Sequence, residues 1–473
     1  MKQKAFLLLA LWIGGLLRPP FEQLQSYAHA AEALTLVQAI AMALDENHEL
    51  RAAAHSLAAE RENIGVARSY LWPKISLEER SLRTNNPTYG FMAKLNQERF
   101  TMQDFAINSL NDPDAISDYQ SSVSLEQPLF APTITIGLAM AETAAAAKEN
   151  EVARKKEEVS LQVARMFHAL DSAREYVAVA DKGVENRREH LRIANLRYKN
   201  DLGLYSDTLR AATALSEAEQ QAVSARKNFQ VAGRALGLLL GRTEQVAVAR
   251  EVSELSLKEQ AYYLTAVQER ADLLALAQQH ENAKLNVRLT RANFLPSVGI
   301  GSSYQMNDHA RLLGDEGQSW QIMGFMKWEM VDGGRRQHEK TRAQYQVNEA
   351  AEYLAAMKKA AAFQVQEALL SVEETATNLE LARTALQSAE ECLRLVQVRY
   401  ENSLSPMVDL LDAQVAVDRA RANQVARRND HSLALINVSF VSGTLLRDLG
   451  VPDVRQAAAT PSEASTIIPE AAK

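Results

Sequence analysis

The feature that most constrains this chain is a stretch that occurs twice, about 202 residues apart. The letters R-Y-K-N-D-L-G at 197–203 are echoed by R-Y-E-N-S-L-S at 399–405. Every seventh residue before the two tyrosines, Tyr198 and Tyr400, is apolar. These residues are Leu191, Val184, Val177, Leu170 and Val163 in the first copy, and Leu393, Leu386, Leu379, Val372 and Val365 in the second. This spacing predicts supercoiled helices, and the long offset indicates a duplication of half the chain rather than a short repeat unit.

Each half is predicted to carry a very long helix followed by a return helix. A helix of ~64 residues over 135–198 would be ~95 Å long at 1.5 Å per residue. The other predicted helices are 335–400, the Ala-rich return helices 207–240 and 408–441, and the shorter helices 34–68 and 263–291. Hairpins this long cannot bury their seams in a globular core, so they must pack against each other and against other subunits.

Four segments alternate apolar and polar residues over the ~9–11 residues that a membrane-spanning strand needs. They are 74–83, 119–129, 297–305 and 320–330, with aromatic residues at or near their ends: Trp72, Phe130, Phe294, Trp320 and Trp328. Interfacial belts favour such aromatics. A sheet half-buried against soluble protein shares the alternation and stays open on the strand pattern alone. Long loops are predicted between the paired strands, over 84–118 and 307–318.

The N-terminal residues 1–30 read as a signal peptide, with Lys2 and Lys4, an apolar run and an A-H-A cleavage site at 28–30. The predicted organisation is a first repeat at 31–241, a linker at 242–262, a second repeat at 263–450 and a disordered tail at 451–473. Such a chain is exported from the cytoplasm.

The sequence indicates neither an enzyme nor a cofactor-binding protein. No nucleophile elbow or phosphate-binding loop occurs, and the net charge of −7 does not favour nucleic-acid binding. His48 and His55 lack the further ligands that a metal site needs, so no metal site is predicted. The single cysteine, Cys392, is expected to be a small packed residue of the second long helix.

The turns between the long helices carry the residues of greatest interest. Asp207 and Asp409 follow the two repeated motifs and are predicted to be N-caps of the return helices. Asp412 lies one helical turn beyond Asp409, so the two carboxylates could share a face. If hairpins surround an axis, such acids form rings that select ions or hold a closed state.

The twin motifs, the duplicated strand–strand–helix–helix halves and the signal peptide make the chain similar to the TolC-like outer-membrane efflux proteins. This resemblance implies a mainly α fold with a transmembrane β part. It implies a homotrimer in which three chains build a twelve-stranded barrel in the outer-membrane lipid, continued by a periplasmic α-helical barrel. It also implies a passive exit duct for efflux or type I secretion, served by a periplasmic adaptor and an inner-membrane pump.

By position, the resemblance places tip residues that hold such ducts closed at Ser206 and Asp207, and at Tyr400 and Ser405. It places acidic rings at Asp409 and Asp412. The chain departs from the family pattern at Ser405, where an Arg that makes closing salt bridges is expected. The alternative is a soluble periplasmic coiled-coil adaptor or scaffold, which uses the helical hairpins but leaves the alternating strands unexplained.

Overall fold

The computed structural model describes residues 33–249 and 255–451. The predicted signal peptide and, apart from Val451, the predicted tail lie outside the described residues. The first half contains α1 Leu36–Glu46, α2 His48–Ser69, β1 Lys74–Thr84, α3 Pro87–Asn96, α4 Ile107–Asn111, β2 Ile116–Phe130, α5 Pro132–Lys199 and α6 Tyr205–Leu239. The second contains α7 Gln260–Ala266, α8 Ala271–Ala292, β3 Ser297–Asp308, β4 Gly317–Lys327, α9 Arg335–Glu401, α10 Met407–Ser442 and α11 Leu445–Asp448. The duplicated order of helix, two strands and helical hairpin is therefore present.

The four strands form one antiparallel sheet in the order β1-β2-β3-β4. Its register places Leu77, Val123, Tyr304 and Trp320 in one row across the sheet. All four side chains are exposed, Trp320 by 74%. The adjacent row on the opposite face is small and polar, consisting of Ser76, Ser124, Ser303 and Gln321. The sheet thus has a mainly apolar and a mainly polar face, although the exposed Met323 and Phe325 of β4 lie on the same face as Gln321. Within the described chain, β1 and β4 are unpaired at its edges.

The long helices form two antiparallel hairpins, α5 with α6 and α9 with α10, and α5 also packs along α10. Three heptad residues are fully buried, each 0% exposed: Val163, Leu170 and Val365. They lie in apolar cores near the middle of the long helices. Closer to the turns, Val184, Leu191, Leu386 and Leu393 are only half-buried in the single chain. In the described part of the chain, no helix has the length and apolar character required for a lipid-spanning helix.

Three predictions about local structure are wrong. The predicted helix 263–291 is interrupted between α7 and α8, where Val267–Glu269 forms a short 3-10 helix and α8 starts anew after Arg270. The predicted helix 34–68 is broken at Asn47, whose side chain accepts from Glu49 N and Leu50 N and donates to Leu239 O at 2.8 Å. Asn47 thereby starts a new helix and ties it to the first hairpin. The predicted long loop 84–118 is also folded, because Asn86 caps α3 and three aromatic rings stack edge to face: Phe91, Phe100 and Phe105.

Candidate functional site at the helical tips

The candidate site is the end of the molecule where the two long hairpins turn. We call it the tip, comprising the turns 200–204 and 402–406 with the adjoining ends of α5, α6, α9 and α10. A small apolar cluster beneath the turns holds the two hairpins together, formed by Ala194, Ala211, Tyr400, Met407 and Leu410. The duplicated sequence motifs are therefore brought side by side.

Both turns follow from the same local sequence. Asp201 and Ser403 adopt the left-handed conformation, with φ of 57° and 63°. In each turn, a backbone N–H donates to the carbonyl oxygen of the motif arginine. Leu202 N donates to Arg197 O and Leu404 N donates to Arg399 O, both at 2.8 Å. Each donor lies two residues after the C-cap of its helix. These bonds satisfy carbonyls that a helix end leaves free.

The N-cap prediction for Asp207 and Asp409 is wrong. The N-caps are Leu204 and Pro406, neither with a side-chain capping bond, so each Asp is the third residue of its helix. The left-handed residue reverses the chain early, and the return helix begins before the Asp is reached. Both carboxylates still lie in the first helical turn, where the helix dipole favours negative charge.

Arg197 links the two turns. Its guanidinium donates to Tyr400 O and to Ser403 Oγ, both at 2.7 Å, and lies 4.8 Å from the Tyr400 ring centroid. That distance is within the range of a cation–π contact. The planar fork of arginine suits several acceptors at once. Sequence reasoning missed this role, although the repeated R-Y pair was the signal that could have revealed it.

Tyr400 is the buried member of the predicted tip set, at 4% exposed. Burial raises the pKa of its hydroxyl, the Arg197 charge opposes that shift, and the Asp207 charge adds to it. Within residues 33–249 and 255–451, no hydrogen bond is formed by the Tyr400 hydroxyl. Ser206 is exposed and Asp207 is half-buried beside it. Asp207 and Tyr400 thus both lie at the tip, and the Tyr400 hydroxyl does not bridge the helices within the described chain.

Ser405, Asp409 and Asp412 lie at the start of α10. Ser405 Oγ donates to Asp409 Oδ2 at 2.7 Å, so the hydroxyl proton of this serine is engaged within its own chain segment. Asp409 and Asp412 are both exposed, and neither belongs to an ion pair within the described chain. Two carboxylates per chain are therefore available to solvent or to cations at the tip.

A buried polar cluster lies just above the tip, between α5 of the first repeat and α10 of the second. Arg187 donates to Asp418 Oδ2 at 2.6 Å, and Gln414 Nε2 donates to Asp418 Oδ1 at 3.0 Å. His190 is buried next to Gln414, and burial lowers its pKa. This cluster also escaped sequence reasoning, because nothing in the periodicity distinguishes a buried Arg from a solvated one.

Other predicted positions lie away from the tip's contacts. Cys392 is exposed in the single chain, which corrects the prediction that it is packed, because the adjacent heptad residue Leu393 is the one that packs against the apolar cluster of the tip. His48 and His55 are exposed on α2. At the β3–β4 turn, ligand atoms of Asp308, His309 and Glu316 lie within 4.8 Å of one another. There Asp308 already accepts from two backbone N–H groups and His309 pairs with Glu316.

Comparisons with known proteins agree with this architecture. The family model described as outer membrane efflux protein matches residues 39–242 and 263–444. The outer membrane protein TolC of Salmonella enteritidis is 20% identical over 437 residues, 89% of this chain and 84% of its own. The outer membrane protein OprJ of Pseudomonas aeruginosa is 21% identical over 426 residues, 88% of this chain and 82% of its own.

A solved structure of CusC superposes with a TM-score of 0.75 at 14% identity, covering 87% of this chain and 92% of that chain. The predicted fold class, outer-membrane location and exit-duct function are confirmed, and with two matched repeats the chain belongs to the outer membrane efflux protein family.

Proposed function

We propose that three copies of this chain assemble into a passive duct that receives its cargo from an inner-membrane pump through a periplasmic adaptor. The three sheets form one twelve-stranded barrel in the outer-membrane lipid, and the six hairpins continue it into the periplasm. Efflux and type I secretion both use such a duct, and the energy for transport comes from the pump.

The main support for this proposal is the exposed apolar face and the unpaired edges of the sheet within the described chain. The apolar row of the sheet is exposed, its opposite face is mainly polar apart from Met323 and Phe325, and both of its edges are unpaired within the described chain. An open sheet with an exposed apolar face invites aggregation in water, whereas closure with lipid outside and water inside satisfies both faces and both edges. A soluble scaffold leaves those features without a purpose.

The test is the mass of the protein extracted in detergent from separated outer membranes. We expect a trimer in the outer-membrane fraction. A monomer or dimer in the periplasmic fraction would refute the duct and favour the soluble adaptor or scaffold. A second test is the variant Ile322→Arg, which places a charge at an exposed apolar position of edge strand β4. This charge should oppose insertion into lipid and so reduce the amount of trimer in the outer membrane. The control Gln321→Arg, on the opposite face of the same strand, should not reduce it.

We further propose that Ser206, Asp207, Tyr400 and Ser405 belong to the contacts that hold the tip closed, and that Asp409 and Asp412 of three chains form acidic rings in the duct. The support is their position at the turns and the exposure of both acids. Such rings concentrate cations at the entrance of the duct.

Removing both acids, Asp409→Ala with Asp412→Ala, should weaken block of the channel by Mg²⁺ roughly tenfold or more, because six carboxylates leave the entrance. The measurement is single-channel current in planar bilayers with Mg²⁺ added on the tip side. Glu380→Ala with Glu391→Ala is the matched control, since it removes equal charge from exposed pairs on α9. Equal Mg²⁺ block in the acid-ring variant and the wild type would remove the two Asp from this role.

A further inference from the structure

The segment between β1 and β2 forms a compact body, residues 85–115, which we call the cap. It lies at the outer end of the sheet, the end opposite to the long helices. Lys94 Nζ donates to Asp104 Oδ1 at 2.8 Å inside the cap. Three aromatic rings also pack edge to face there: Phe91, Phe100 and Phe105. The cap is therefore a folded unit with contacts of its own.

A buried hydrogen-bond network ties the cap to the polar face of the sheet. Gln97, the residue after α3, is 1% exposed, and its Nε2 donates to Asp118 Oδ1 at 2.8 Å and to Ser117 O at 3.0 Å. Asn307 Nδ2 of β3 donates to the same carboxylate oxygen at 3.0 Å. Counted in steps of two along their strands, Asp118 and Asn307 both lie on the polar face.

A second contact places the end of α3 on the same face. A Cβ atom added to Gly317, at the start of β4, would lie 1.9 Å from Asn96 O. Gly317 pairs with Asn307, so that Cβ would point to the polar face. Only glycine leaves room for a backbone this close. Helix α3 thus crosses the sheet from the end of β1 to the start of β4, and its length of about 15 Å matches the width of four strands.

The position of the cap matters because the polar face lines the water-filled side of the proposed barrel. Twelve strands about 4.8 Å apart and tilted by about 40° enclose a barrel about 24 Å across at the backbone. A helix is about 10 Å thick, so one cap on each of three sheets leaves an opening about 4 Å wide. The caps therefore lie where they obstruct the outer rim.

We propose that the three caps narrow the outer mouth of the duct and form a barrier there that is separate from the tip. This inference rests on the proposed trimer. Gln97 and the close contact at Gly317 hold each cap against its own sheet. Caps in place exclude large solutes from outside, and cargo that leaves the duct must displace them.

The test measures access to the lumen from outside intact cells. In full-length protein, Cys392→Ala removes the single cysteine, and Ser303→Cys places a thiol on the polar face, four residues or about 13 Å inward of Asn307. The probes are a small maleimide and a maleimide that carries a polyethylene glycol chain several times wider than the opening. The reference is Leu312→Cys, at an exposed position of the β3–β4 turn.

We expect the small maleimide to react at both positions. The large maleimide should react about tenfold or more slowly at position 303 than at position 312, because the caps exclude it. Because only the outer side of the cell is exposed to the probe, the state of the tip does not affect this ratio.

Two further variants should displace the cap. Gly317→Val places a side chain where Asn96 O lies, and Gln97→Ala removes the donor to Asp118. Both should raise the rate of the large maleimide at position 303 toward its rate at position 312. Gly324→Val is the matched control, because Gly324 lies on the same strand with open space around it, and it should leave the ratio unchanged.

Trimer mass is measured first for every variant, which separates the two proposals. A wild type that is not a trimer refutes the duct, and the barrier with it. A trimer whose position 303 is closed even to the small maleimide refutes the assignment of the polar face to the lumen, on which the barrier depends. A trimer in which the large maleimide reaches positions 303 and 312 at equal rates refutes the barrier alone. So does a trimer in which neither Gly317→Val nor Gln97→Ala changes the ratio of the two rates.

Discussion

Replacing Arg197 by Ala is expected to open the tip, raising the ratio of open to closed channels on the order of a hundredfold. The side chain makes two charge-assisted hydrogen bonds to the second turn and covers the Tyr400 ring. Because Arg197 is half-exposed, we assign these contacts a stabilisation of the closed state of about 1 kcal/mol per chain, which is below the usual range for hydrogen bonds to charged groups. The contributions of the three chains add. A tip that widens must separate neighbouring hairpins, and these bonds then break. The measurement is single-channel current in planar bilayers.

Two further variants isolate the cause of this opening. Arg197→Lys keeps the charge but loses the planar fork, so it should open the channel to an intermediate degree. Lys199→Ala removes a positive charge from the same helix end. Because the Lys199 side chain forms no hydrogen bond or ion pair within the described chain, this variant should gate like wild type. If Arg197→Ala also gates like wild type, the two hairpins of a chain do not separate during opening.

The second large effect is expected on stability, from Asp418→Ala. This change leaves the Arg187 guanidinium buried without its carboxylate, with Gly183 O at 3.3 Å as its other acceptor. An unpaired buried charge is costly, so the free energy of unfolding should fall by about 3 kcal/mol per chain. The measurement is the denaturant midpoint of the detergent-solubilised protein at fixed protein concentration, since subunit assembly contributes to it.

The same pair offers a rescue and a control. Arg187→Met with Asp418→Leu replaces the pair by apolar side chains and should recover most of the loss, because a buried ion pair gains little over good apolar packing. Glu189→Ala breaks an exposed pair with Arg192 on the same helix and should leave the midpoint unchanged. A midpoint unaffected by Asp418→Ala would mean that water reaches Arg187.

The sequence predicted the elements whose signals are long and periodic. Heptad spacing indicated the two long helices, because a seam must face a partner at every second turn of helix. Alternation indicated the four strands, because side chains of a strand point to opposite faces. The predicted strand 320–330 was displaced toward its C-terminal end, since β4 spans Gly317–Lys327 and the mixed apolar run at 322–326 has no sharp boundary.

Short-range capping was predicted less well. The break at Asn47 depends on which backbone groups its side chain reaches. The starts of α6 and α10 have no side-chain cap and follow instead from the left-handed residues Asp201 and Ser403 in the turns before them. A pattern of apolar residues carries no information about either feature. The same reason explains why the folded segment between β1 and β2 was predicted as a loop.

By itself, the sequence determined the duplication, the helical hairpins, the alternating strands and the turns at which the candidate site lies. Only the tertiary structure decided which side chains meet at and just above these turns: Arg197 with the second turn, and Arg187 with Asp418. The partners lie about 200 to 230 positions apart in the sequence, and each contact joins the first repeat to the second. Their contacts depend on how the packed helices are rotated and staggered relative to one another. Many small apolar contacts along the whole length of the helices determine that arrangement, and no local motif encodes it.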